Sequence, residues 1–262
     1  LLFLAHAAKR ADDLELAARE YRAAVERLPG RAALHAELSD VLYAKKNDDE
    51  AEAAIRAAIA LDPEEAHYHF SLARILTRGK RSEAGCEAAE HGARLAGEDA
   101  STNELQILAG SYDSVGRYEE AQEVFRRVLE RIPGDPKALY NLAFSYLCSH
   151  HLREARDTYF EIEDGPRRTD GLITVAWLYA GSNSAQCADC RAYYARQPDM
   201  LDFEAAEELA LEALRRADSD NAPRLAVDVA KLIGRPDRIR ALLEELRSEA
   251  EEDQQIAIYE RA

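Results

Sequence analysis

A chain of 262 residues can bury a substantial core, and its vocabulary of alanine, leucine, glutamate and arginine with sparse glycine and proline is that of helices. Fifty acidic against 34 basic residues leave a formal charge of −16, which repels phosphate backbones and argues against nucleic acid as a partner. The longest apolar opening, "LLFLAHAA", is broken by His6 and falls far short of the ~20 residues that span a bilayer, so no membrane insertion is expected.

Taken in chain order, the elements repeat. A first helical stretch carries the small residue Ala17 and stops at Pro29. "LHAELSDVLYA" follows, with Leu38, Ser39 and Leu42 on one face, then a helix with Ala51 that stops at Pro63. "YHFSLARILTR" leads to a helix with Gly85 and a stop at Gly97. "ELQILAGSYDS" sets Leu108, Ala109 and Tyr112 at the same offsets. In "GRYEEAQEVFRRVLERIPGDP" a glycine turn opens a helix whose Tyr118, Ala121, Phe125 and Val128 recur at helical spacing before Pro133. "ALYNLAFSYLC" repeats the set as Leu142, Ala143 and Tyr146, followed by Ala155 and a stop at Pro166. "LITVAWLYAG" and Ala188 complete a worn sixth copy.

From Ala17 to Ala188 the small residue advances by 34, 34, 36, 34 and 33 positions. Two helices per period of that length make helix–turn–helix units stacked side by side. The units are expected over 1–31, 32–65, 66–101, 102–135, 136–168 and 169–198. Beyond Pro198 the register fades. "DFEAAEELALEALRRA", "APRLAVDVAKLI" and "PDRIRALLEELRSEAEED" are expected to form a diverged repeat and capping helices over 199–262. Beginning on Leu1 inside a helical pattern, the sequence reads as a piece of something longer.

The chain resembles the tetratricopeptide repeat (TPR) family, most closely over 105–133, where Leu105, Leu108, Ala109, Tyr112, Gly116, Tyr118, Ala121, Phe125 and Pro133 hold the pattern and Ala109 replaces the usual glycine. The resemblance implies an all-α, right-handed α-solenoid of about six repeats whose first helices line a concave groove. Positions two before and two after the buried leucine project away from the second helix, which selects Leu2 and His6, Ala36 and Asp40, Phe70 and Arg74, Gln106 and Gly110, Tyr140 and Phe144, Ile173 and Trp177.

Two partner surfaces follow from that set. Tyr140, Phe144 and Trp177, flanked by Leu147, would offer an aromatic area of the kind that anchors protein interfaces. Phe70, Arg74 and Arg78, with Lys80 and Arg81 in the following turn and Lys137 as a candidate neighbour, would give a locally basic stretch for an acidic and apolar partner segment. The residues a chaperone-tail clamp would need are replaced by Leu2, His6, Ala36, Asp40 and Phe70, which disfavours that type of adaptor. Self-association through the terminal helices is the remaining partner expectation.

Phosphate-cradling glycine loops, Gly-x-Ser-x-Gly and His-Glu-x-x-His are all missing, and acid pairs such as Glu119 and Glu120 sit on charged helical faces, so no enzyme and no cofactor are expected. Cys187 and Cys190 flank Ala188 in the first turn of the sixth second helix, where plain packing of small side chains is the preferred reading. The metal alternative is a four-ligand site from Cys148, His150 or His151, Cys187 and Cys190 on one edge of the solenoid. Four cysteines make no disulfide framework, which points to a reducing cytoplasm. The expected function is a non-catalytic scaffold that recruits a partner polypeptide; the alternative is a regulatory or substrate-recruiting segment of a larger transferase or kinase.

Overall fold

The computed structural model describes residues 2–163, 166–179 and 203–215. Helices run in pairs: α1 (Leu2–Arg10) with α2 (Leu14–Arg27), α3 (Ala32–Ala44) with α4 (Asp48–Leu61), α5 (Ala66–Arg78) with α6 (Ser82–Ala96), α7 (Thr102–Ser114) with α8 (Tyr118–Arg131), and α9 (Pro136–Cys148) with α10 (Leu152–Glu161). A 3-10 turn, Gly97–Asp99, follows α6, and α11 (Pro166–Tyr179) and α12 (Phe203–Arg215) complete the described elements. Among the described residues there is no strand. The fold is all-α, an α-solenoid of helix pairs, as the period requires.

One turn geometry makes every pair. The backbone N–H of Asp13 donates to the carbonyl of Ala8 (2.9 Å), that of Asn47 to Leu42 (3.0 Å), Arg81 to Leu76 (2.9 Å), Arg117 to Tyr112 (3.0 Å) and His151 to Tyr146 (2.8 Å). Each bond closes a helix end around one left-handed residue. Gly116 takes that position with φ 78°, but Asp12, Lys46, Lys80 and His150 hold it elsewhere at φ 58°, 62°, 60° and 68°. The chain then reverses within three residues, and the two helices of a pair become neighbours.

Starts are fixed as well. Asp13 accepts from the N–H of Leu16 (3.0 Å) and Asp135 from that of Ala138 (2.7 Å), while Ser101 and Glu104 form a reciprocal capping box. Pro29, Pro63 and Pro133 follow α2, α4 and α8, and Gly97 caps α6. Pro166 departs from that ladder: α10 has already ended at Glu161, and Pro166 is the first residue of α11, a place where its missing N–H costs nothing.

The chain divides into two compact units, Leu1–Val128 and Leu129–Ala262, with the division falling inside α8. The first packs around Tyr21, Leu42, Ile55 and Ile75, the second around Leu139, Leu147, Tyr159 and Leu172. Full burial of an aliphatic side chain of this size contributes ~1.5–3 kcal/mol. The small residues are what let the helices close: Ala17, Ala51, Ala121 and Ala155 are fully buried, and a methyl group at Gly85 would stand 2.5 Å from the Thr77 hydroxyl.

Candidate functional site

The first helices of successive pairs meet on one side of the first unit. There α3, α5 and α7 enclose an open cleft of about 330 Å³, with Tyr43 from α3, Arg74, Thr77 and Arg78 from α5, and Gln106, Ile107, Gly110 and Ser111 from α7. Arg74, Gln106 and Gly110 are positions the sequence assigns to the groove. Gly110 gives the cleft its depth, since a methyl group placed there would touch nothing within 4 Å.

The arginines of the cleft are paired with acids, although Arg74 Nε is buried without a hydrogen-bond partner. Arg74 donates to Asp40 (3.3 Å), one repeat period earlier in the chain, and its guanidinium lies 4.7 Å from the centre of the Tyr43 ring. Arg78 stacks closer on the same ring (3.4 Å), donates to the Tyr43 carbonyl (2.7 Å), and makes two bonds to Asp48, one of them at 3.1 Å. Arg81 donates to both carboxylate oxygens of Glu52, and that hydrogen bonding is the main cause holding the Glu52 carboxyl below the usual range. Within the expected basic stretch, Arg74, Arg78 and Arg81 are each matched by an acid from the preceding pair. Lys137 belongs to the second unit.

The polar chain extends toward the N-terminus. Lys9 donates to Glu37 (2.7 Å) and stands 3.6 Å from Asp40, while the Tyr21 hydroxyl donates to Glu37 (3.2 Å). Tyr21 lies 2.9 Å from His6 Nδ1, which leaves that nitrogen as the donor to the phenol oxygen. Burial, reinforced by Glu37, pushes the Tyr21 phenol well above its ordinary pKa. For Glu37 burial raises the carboxyl, but the Lys9 hydrogen bond and charge, helped by Tyr21, outweigh it and the net shift is downward.

The groove assignment of Phe70 is corrected. Its ring is fully buried, because Gly92 on α6 leaves the space it occupies: a methyl group at Gly92 would stand 3.0 Å from the ring. Ala36 and Ile173, at the equivalent place in their helices, are buried as well. In the second unit Tyr140 is half-buried with its ring centre 5.8 Å from that of Tyr159, and Leu147 is buried in the core. Phe144 is 37% exposed. Trp177 lies on α11, but its side chain, like Cys187 and Cys190, lies outside the described residues.

Cys148 ends α9, and His151 Nδ1 shares a hydrogen bond with the Ser149 hydroxyl (2.9 Å). Among the described residues no group of three or more histidine, cysteine, aspartate or glutamate side chains is placed to hold a metal ion. A larger cleft of about 550 Å³ lies between α10 and α12, lined by Phe160, Leu209 and three carboxylates, Asp157, Glu208 and Glu212. It uses none of the groove positions. Tyr43, Ile107 and Ser111 escaped the sequence reading, although Tyr43 stands one helical turn after Asp40, a detectable offset.

These helix pairs, their left-handed turns and their buried small residues define a repeat protein of the TPR class. The tetratricopeptide repeat profile matches residues 4–66, 49–101 and 114–164, and the chain belongs to that family. Comparison with curated proteins gives no match. Among solved structures, the fold is similar to that of PilW, described as a widely conserved type IV pilus biogenesis factor, at 14% identity and TM-score 0.58 over 97% of this chain and 94% of that one. Pseudomonas aeruginosa pilF is similar at 16% identity and TM-score 0.55, covering 98% and 94%. YrrB, described as a TPR protein with an unusual peptide-binding site, is similar at 15% identity and TM-score 0.54, covering 75% and 92%. Among the described residues no helix is long and apolar enough to cross a membrane.

Proposed function

We propose that the chain is a non-catalytic interaction scaffold that binds an extended segment of a partner polypeptide across α3, α5 and α7. The carrying observation is the cleft itself, a concave site on successive first helices with Gly110 leaving open space at its floor. Ile107 and the Tyr43 ring offer an apolar wall, and the half-buried Gln106 amide can both donate to and accept from a peptide backbone. A carboxylate on the partner has to compete with Asp40 and Asp48 for the arginines, so an uncharged or apolar side chain suits the cleft better than an acidic one. Phe144 is retained as a second contact in the other unit, with Tyr140 one helical turn before it and Trp177 one repeat later in the sequence. A reducing, cytoplasmic setting belongs to the same proposal and rests on the sparse cysteine content, four in the chain with no disulfide-framework spacing.

The test uses peptides selected from a random display library on the wild-type chain. Gly110→Trp fills the cleft from a position where the backbone has room, so the selected peptides should bind this variant at least tenfold more weakly while its thermal unfolding stays that of a folded chain. Equal binding to wild type and Gly110→Trp would remove the cleft from the function.

A further inference from the structure

The third helix pair holds a histidine pair that the groove does not use. His69 on α5 is buried, His91 on α6 is exposed, and their Nδ1 atoms stand 3.1 Å apart. His69 Nε2 lies 2.8 Å from the carbonyl of Pro63, which can only accept, so Nε2 carries the proton and the neutral ring presents a bare Nδ1 lone pair to His91. A carbonyl fixing the tautomer of an imidazole from behind is the arrangement that orients histidines toward a metal.

The nitrogens stand close enough to share an ion as well as a hydrogen bond. Nitrogens meeting head-on would add the radius of each ring to their separation, yet the centroids are only 4.3 Å apart with the planes at 85°. The two nitrogens therefore do not meet head-on. An ion about 2.0–2.1 Å from each, the usual imidazole distance, would see them at about 100°, between the cis angle of a square or octahedral field and the tetrahedral angle.

An internal comparison separates structure from ligation. One period earlier His35 makes the same contact, Nε2 to the Pro29 carbonyl at 2.8 Å, and the position matching His91 is Ala57. The proline contact therefore needs no second histidine, and His91 is left without a structural task that His35 shows to be required.

We propose that His69 Nδ1 and His91 Nδ1 chelate a borderline divalent transition ion, with water completing its shell, and so clamp α5 to α6 behind the cleft. Ni²⁺, an imidazole-preferring ion, is the probe. Titrated into the wild-type chain by calorimetry, it should show one equivalent that His91→Gln loses or binds at least tenfold more weakly and that His67→Gln keeps; His91 is exposed, so the variant should fold, as circular dichroism will report. Ala57→His should gain a further equivalent with His35. Uptake by His91→Gln equal to that of wild type, or no uptake by wild type, overturns the site.

Discussion

At the residue scale, two glycines inside first helices have opposite roles, and substitution separates them. A methyl group at Gly171 would stand 2.2 Å from the buried Tyr159 ring, whereas at Gly110 it meets nothing. Gly171→Ala should cost ~1–3 kcal/mol by overpacking, while Gly110→Ala should gain ~0.5–1 kcal/mol from reduced backbone entropy, both read from urea unfolding midpoints. Glu37 gives a pH-dependent prediction. Its folded carboxyl lies below the ordinary value, so the stability it adds is present above the unfolded pKa and is lost as pH falls through the folded one. Wild type should therefore exceed Glu37→Gln at neutral pH by under ~1 kcal/mol, since Lys9 and Glu37 are each about a third exposed, and the gap should close well below pH ~4. A gap that persists in acid would show that the carboxylate charge is not what Glu37 contributes.

At the element scale, the turns explain both what the sequence announces and what it hides. Gly116 advertises a left-handed residue, and the same conformation recurs at Asp12 and His150, where the residue type is a weak signal, and at Lys46 and Lys80, where it is none. The period points to those positions; the letters barely do. Nothing lies within 4 Å of a methyl group at Gly116, so Gly116→Ala should cost ~1–2 kcal/mol through conformation alone, measured by thermal or urea melting. The buried small residues were legible because every helix pair needs one, from Ala17 to Ala155. Phe70 was misjudged because helical periodicity places a residue on a face but does not say whether a neighbour, here Gly92, makes room to cover it. The acid partners of the arginines were hidden for a related reason: Asp40 and Asp48 lie 34 and 30 residues before Arg74 and Arg78, and only stacking of the pairs brings them together.

At the scale of the whole molecule, the repeat period carried the fold class, and the family profile and the similar structures agree with it. The cleft was legible only in part. Arg74, Gln106 and Gly110 were chosen by register, but the cleft they share depends on the Tyr43 ring holding two guanidinium groups to one side, a contact no spacing rule contains. The most direct measurement is a methyl NMR titration of the wild-type chain with a library-selected peptide. The Ile107 methyl resonance in the cleft should shift on binding while that of Ile55, buried in the core of the same unit, stays in place. Saturable binding that leaves Ile107 unmoved would contradict the concave cleft as the partner site.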